Sequence, residues 1–278
     1  MNYVDIQWQS ADGLQLVGRS WEPDSEPRAV VCLVHGLGEH CGRYQHVAAA
    51  LTEAGFAVLA CDQRGHGRSA GKRGAIPTYD ALMDDIGILL EQARQRYPGK
   101  PRFLYGHSLG GNEVINYALR RKPALAGVVA TSPGLRTAFK PPAAQLAVGR
   151  MANKLWPAFT MPNGLELAAI SRDPAVVEAY QQDPLVHDRL SARLGMELLE
   201  TGEWAIAHAG EFPVPLLLMH GTADRLTSYE ASQEFASKAP NCTLKLWDGL
   251  YHETHNEPEK GEVIGRIIEW LSGFPAGS

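Results

Sequence analysis

Basic residues are in the minority: 26 Lys plus Arg stand against 31 Asp plus Glu, a formal net charge of −5. A chain of that sign repels phosphate backbones, so no nucleic-acid partner is expected. Cysteine is scarce as well. The four present, Cys32, Cys41, Cys61 and Cys242, show neither a C-x-x-C pair nor metal-ligand spacing, which argues against a zinc centre or dithiol chemistry and fits a reducing compartment. No apolar run approaches the ~20 residues of a membrane span. The longest, such as Ala29 to Val34 and Val214 to Met219, have the length of buried strands. Residues Met1 to Asp5 include an acid and lack the basic start and apolar core of a secretory leader, so a cytoplasmic location is expected. Also missing are a Walker lysine after a glycine loop, a G-x-G-x-x-G opening a helix after the first parallel strand, and H-E-x-x-H. Neither cofactor nor metal is expected. The oligomeric state has no signature in the sequence.

What is there reads as globular: 278 residues, 45% hydrophobic and 21% charged, enough for one large domain or two modest ones. Val4 to Trp8 and Leu14 to Trp21 alternate apolar and polar residues around Asp12-Gly13, the pattern of an edge hairpin. Short, nearly continuous apolar runs follow at Ala29–Val34, Val58–Cys61, Arg102–Tyr105, Gly127–Ala130, Leu216–Met219 and Leu244–Trp247. Between most of them lie segments of helical period: Val47–Ala54, Leu82–Arg96, Glu113–Arg120, Tyr229–Ala236 and Val263–Leu271. Strands buried on both faces and alternating with helices predict a mostly parallel, doubly wound α/β sheet. About eighty residues separate the strand ending near Ala130 from the one starting near Val214, well beyond an ordinary crossover. We read residues 135–209 as an inserted helical cap, dividing the core into 1–134 and 210–278. An insertion after a strand's carboxyl end lies over the crevice where open α/β sheets bind ligands.

Gly106-His107-Ser108-Leu109-Gly110 matches G-x-S-x-G, with a strand before it and a helix after it. That turn exposes the serine hydroxyl on a strained backbone, which nominates Ser108 as a nucleophile rather than part of a structural glycine turn. A serine needs a base, and in this architecture an acid and then a histidine follow, each just past a strand. Asp224 follows Leu216–Met219 and competes with Asp248. His252 follows Leu244–Trp247 and competes with His255. Chain order favours Asp224 and His252. The oxyanion needs N–H donors, expected from Leu109 and from Leu37 in the loop His35-Gly36-Leu37-Gly38-Glu39-His40. His35 is read as holding that loop, and Asp62 to Ser69 as scaffold. In the cap, Val148, Met151, Leu155, Trp156 and Phe159 repeat at helical steps. This stripe is expected to line an apolar tunnel, chiefly through Met151, Leu155 and Phe159. Packing on the core is the bland alternative, and lipid contact beside Arg150 and Lys154 is a third.

These motifs, with Arg43-Tyr44, Asp62-Gln63-Arg64-Gly65-His66-Gly67-Arg68-Ser69 and Tyr251-His252-Glu253, resemble the monoacylglycerol lipases and lysophospholipase-like enzymes of the α/β-hydrolase superfamily over nearly the whole chain. The resemblance implies an α/β-hydrolase fold with an eight-stranded, mostly parallel sheet and a helical cap. It also implies a serine esterase that frees fatty acid and glycerol through an acyl-enzyme, with Ser108, Asp224 and His252 as triad and the Leu37 and Leu109 amides as oxyanion hole. The substrate would be a small-molecule lipid ester, and on the lipid-contact alternative for the stripe the cap would touch a membrane surface transiently. Tyr180, in Tyr180-Gln181-Gln182-Asp183-Pro184-Leu185, resembles the family tyrosine that helps bind the glycerol end. Glu39 and Arg43 are expected to order the loop. A lysophospholipase, a general carboxylesterase and an inactive binding protein on the same scaffold are the competing readings.

Overall fold

The computed structural model describes residues 3–275. In chain order it runs β1 (Tyr3–Gln9), β2 (Gln15–Trp21), β3 (Ala29–Val34), α1 (Gln45–Glu53), β4 (Phe56–Cys61), α2 (Tyr79–Arg96), β5 (Arg102–His107), α3 (Leu109–Arg121) and β6 (Gly127–Thr131). An inserted segment follows, with α4 (Ala143–Leu155), β7 (Thr160–Pro162), α5 (Pro174–Gln182), β8 (Arg189–Ser191) and α6 (Ala192–Ala207). The core then resumes with β9 (Leu216–Gly221), α7 (Tyr229–Lys238), β10 (Cys242–Trp247) and α8 (Lys260–Ser272).

The strands form one eight-stranded sheet ordered β1-β2-β4-β3-β5-β6-β9-β10. β1 pairs antiparallel with β2, and β2 antiparallel with β4. The remaining pairs are parallel. Period-two alternation splits each buried strand between two cores. Val30, Cys32 and Val34 of β3 face the helices α2, α3 and α7, while Ala29, Val31 and Leu33 face α1 and α8. Burial on both faces explains why β3 and β4 read as unbroken apolar runs. From β3 the chain first adds β4 on one side and then β5 on the other. That reversal opens a crevice at the carboxyl ends of β3 and β5, where α/β sheets hold ligands.

The inserted segment is not uniformly helical. β7 and β8 pair as a small antiparallel ribbon, and the helical stripe expected to continue to Phe159 ends at Leu155. Trp156 leaves the helix at φ −141° and ψ 64°. Pro157 follows it, and the residue before a proline is driven out of helical geometry.

Candidate active site

Ser108 sits at the tip of the turn from β5 into α3, at φ 54° and ψ −115°. A non-glycine residue in that region is strained, and its neighbours show what holds it. A Cβ at Gly106 would lie 2.2 Å from the Gly110 carbonyl oxygen, and one at Gly110 would lie 2.2 Å from that of Val34. Only glycine lets strand and helix approach so closely, and the approach fixes the serine between them. As first residue of α3, Leu109 has no intrahelical partner for its N–H. Leu37 follows the end of β3, and both leucines line a cavity of about 540 Å³ together with Ser108 and His252.

His252 Nδ1 lies 2.7 Å from Asp224 Oδ2. The same oxygen accepts from Thr227 Oγ1 at 2.9 Å and lies 3.0 Å from His220 Nε2. Its twin, Oδ1, accepts from the amides of Leu226 and Thr227. Burial alone would raise the Asp224 carboxyl, but the charge of His252 and the hydrogen bonds from His220 and His252 outweigh it and hold it well below the usual carboxylate range. Burial would likewise lower His252, yet the carboxylates of Asp224, Glu253 and Glu39 leave it above the ordinary histidine value. Ser132, at φ 44°, donates its hydroxyl to the His252 carbonyl, and its own carbonyl lies 3.1 Å from Thr227 Oγ1.

The rivals lie elsewhere. Asp248 is exposed and accepts from Thr222 Oγ1. His255 is fully buried, stacks on Tyr44 at 4.8 Å between ring centres, and among the described residues neither ring nitrogen has a hydrogen-bond partner. Burial and the neighbouring His107 and His46 push it well below the usual histidine value, so it stays neutral. His35 accepts from the Gln63 amide at Nε2 and donates from Nδ1 to the Gly36 carbonyl, tying the loop after β3 to the loop after β4. In that second loop Asp62 accepts from the amides of Cys41 and Arg68, and Arg64 pairs with Asp85 at 2.6 Å.

At the inner end of the cavity Arg43 lies between two glutamates. Its Nη1 donates to Glu39 at 2.5 Å and to Glu253 at 2.6 Å, and its Nη2 to Glu253 at 2.7 Å. Glu39 also accepts from the Gly36 amide and the Tyr44 hydroxyl. One guanidinium therefore ties the loop after β3 to the loop that carries His252. The Tyr180 ring covers Arg43 at 4.7 Å, and its hydroxyl has no hydrogen-bond partner among the described residues. The inserted segment is fastened to both loops: His187 N–H donates to the Gly38 carbonyl, and Glu253 N–H to that of Ile170.

Of the residues expected to bind substrate, Tyr180 lines the cavity, whereas Met151, Leu155 and Phe159 do not. They are 65%, 54% and 57% exposed. The cause is packing. α4 approaches α6 through Gly149, where a Cβ would already lie 3.1 Å from Met196 Sδ. The inward stripe is therefore Leu146, Gly149 and Ala152, and the bulkier residues face out. Sequence reading also missed His220, Thr227 and Ser132. His220 stands four residues before Asp224 at a strand end, a spacing that was visible. The other two join the site only through tertiary contacts.

The family described as serine aminopeptidase, S33 matches residues 25–259. A monoacylglycerol lipase from Mycolicibacterium smegmatis is 37% identical over 262 residues, which cover 93% of each chain. An abhydrolase domain-containing protein from Dictyostelium discoideum is 41% identical over 257 residues, 91% of this chain but 27% of that longer protein. The crystal structure of Paleococcus ferrophilus monoacylglycerol lipase superposes with a TM-score of 0.83 at 38% identity, covering 98% of both chains.

Proposed function

This chain belongs to the serine aminopeptidase S33 family of α/β-hydrolases, beside the monoacylglycerol lipases, and from that premise we propose that it hydrolyses monoacylglycerols to fatty acid and glycerol. The observation that carries the reading is the strained Ser108 facing one end of a single cavity that also holds His252, with the Asp224 carboxylate behind the imidazole.

Ser108 Oγ attacks the ester carbonyl while His252 Nε2 takes its proton, and Asp224 stabilises the imidazolium that forms. The Leu37 and Leu109 amides receive the oxyanion. His252 then protonates the departing glycerol oxygen, leaving an acyl group on Ser108. Water, deprotonated by the same histidine, releases the fatty acid. His220 and Thr227 hold the Asp224 carboxylate in the orientation this requires. One acyl chain lies along the apolar wall formed by Leu146, Ala152 and Met161, and the small polyol meets Tyr180 at the buried end.

The outward face of α4 supports contact with a lipid surface. Val148, Met151, Leu155 and Trp156 form an exposed apolar stripe with Arg150 and Lys154 beside it, the arrangement of helices that lie at headgroup level. Among the described residues no helix is long and apolar enough to cross a membrane. The test is parallel fatty-acid release from monooleoylglycerol, dioleoylglycerol, lysophosphatidylcholine and a simple oleate ester. Preference for the monoglyceride is expected. Equal rates on all four would leave a general esterase, and no release from any would overturn the reading.

A further inference from the structure

The inner end of the cavity carries an unbalanced charge. Glu39 and Glu253 both line it, at 2% and 3% exposure, and share the single guanidinium of Arg43. That leaves one net negative charge. The pair Asp224 and His252 adds a second whenever the imidazole is neutral. Arg43 has nothing left to offer a substrate anion: both terminal nitrogens are committed to carboxylates, and the Tyr180 ring lies over its face. Arg225, which also borders the cavity, is held by Glu166 at 2.9 Å and stacks on Tyr251.

A second observation points to a ligand at this end. Tyr180 is only 5% exposed, it lines the cavity, and no hydrogen bond among the described residues uses its hydroxyl. It is placed to bond a polar leaving group beside the two carboxylates. In a buried site, charges interact several-fold more strongly than in water, so a net negative surround acts on whatever alcohol is carried in.

We propose that this end of the cavity selects the leaving group by charge, accepting esters of uncharged and cationic alcohols and rejecting those whose alcohol bears a phosphate or sulfonate, with Glu39 and Glu253 as the specificity-determining residues. The inference rests on the hydrolytic reading above and narrows it. Each accepted ester consumes one water and yields a fatty acid and the intact alcohol, so a choline ester releases choline. The same field acts on the product, because the fatty-acid carboxylate forms in a pocket that already carries negative charge and is driven out of it.

The test uses three octanoate esters that differ in charge with nearly the same shape: 3,3-dimethylbutyl, choline and isethionate. All are assayed as dissolved monomers at one ionic strength. For the unaltered protein, kcat/KM for the choline ester is expected to equal or exceed that of the neutral ester, and the isethionate to fall at least about tenfold below it. Glu253→Gln is expected to narrow the neutral-to-isethionate ratio by about threefold or more. An isethionate rate within about threefold of the neutral ester in the unaltered protein, or a ratio that Glu253→Gln leaves unchanged, overturns the proposal. If Glu253→Gln does not fold, the choline-to-isethionate ratio of the unaltered protein decides: about ten or more supports charge selection, and anything lower refutes it. Failure to cleave even the neutral ester would instead refute the hydrolytic reading.

Discussion

The two ends of the cavity are built from opposite materials. At the inner end, Tyr180, Glu39, Glu253 and His252 are each at most 5% exposed; the Tyr180 ring lies over Arg43, and ion pairs and hydrogen bonds to the loops after β3, β6 and β10 fix the other three. At the outer end α4 has no buried residue at all, and Val148, Met151, Leu155 and Trp156 lie between 54% and 69% exposed. The inner end has one arrangement because a buried charge without its partner is costly. The outer end has little within the chain to hold it, and elements with few buried apolar contacts open at low free-energy cost. On the proposed reading, the chemistry sits where the structure is over-determined, beside an outer end that is not.

Changes at the inner end have the largest expected effect. Ser108→Ala is expected to lower ester hydrolysis by about 10⁴-fold or more, and Asp224→Asn by about 10³- to 10⁴-fold, with melting temperature measured alongside to show that both remain folded. A fully active Ser108→Ala would break the contrast outright. Next comes pH. His252 acts as a base only when neutral, and its neighbouring carboxylates hold its pKa above the ordinary value. The acid limb of kcat/KM on a soluble ester therefore has its midpoint above about 6.5, with roughly tenfold loss per unit below it. The linked stability runs the other way. A raised folded-state pKa contributes stability that is fully present below the unfolded value and is lost as pH rises through the folded one. A midpoint below the ordinary value would contradict the electrostatics described for Asp224, Glu253 and Glu39.

The outer end answers with the smallest effect. Replacing Leu155 and Trp156 together by Asp touches two exposed side chains, so stability is expected to move by about 0.5 kcal/mol or less per site. Hydrolysis of monooleoylglycerol in vesicles should fall about tenfold, since apolar area and a favourable charge balance are lost from the exposed stripe proposed to meet lipid. Hydrolysis of a dissolved short-chain ester should be unchanged. Equal loss on both substrates would place α4 in the inner machinery and erase the distinction between the two ends.

Legibility in the sequence follows the same division. The core strands announce themselves as apolar runs because both of their faces are buried, and the helices between them as periodic segments because one face is. The turn at Ser108 was readable because its geometry demands glycine at Gly106 and Gly110. The outer end was harder. Met151, Leu155 and Phe159 are as apolar as core residues, and periodicity reports that a helix has an apolar stripe without saying what the stripe faces. Here the small residues Gly149 and Ala152 pack inward, and the large ones remain outside. The break at Trp156 was written in Pro157. Thr227 and Ser132 had no local signal: each matters because chain folding brings a hydroxyl within hydrogen-bond reach of Asp224 or the His252 carbonyl. The Arg43 bridge spans 210 residues to Glu253, a pairing that no local pattern encodes.

The most direct measurement is covalent capture of the serine. The folded protein is treated with a long-chain fluorophosphonate, and the adduct is located by peptide mass spectrometry. A single adduct on Ser108 is expected, lost in Ser108→Ala and formed far more slowly in Asp224→Asn. Folded protein that takes up no label, or takes it up at another residue, would contradict the assignment of Ser108, His252 and Asp224 to one hydrolytic site.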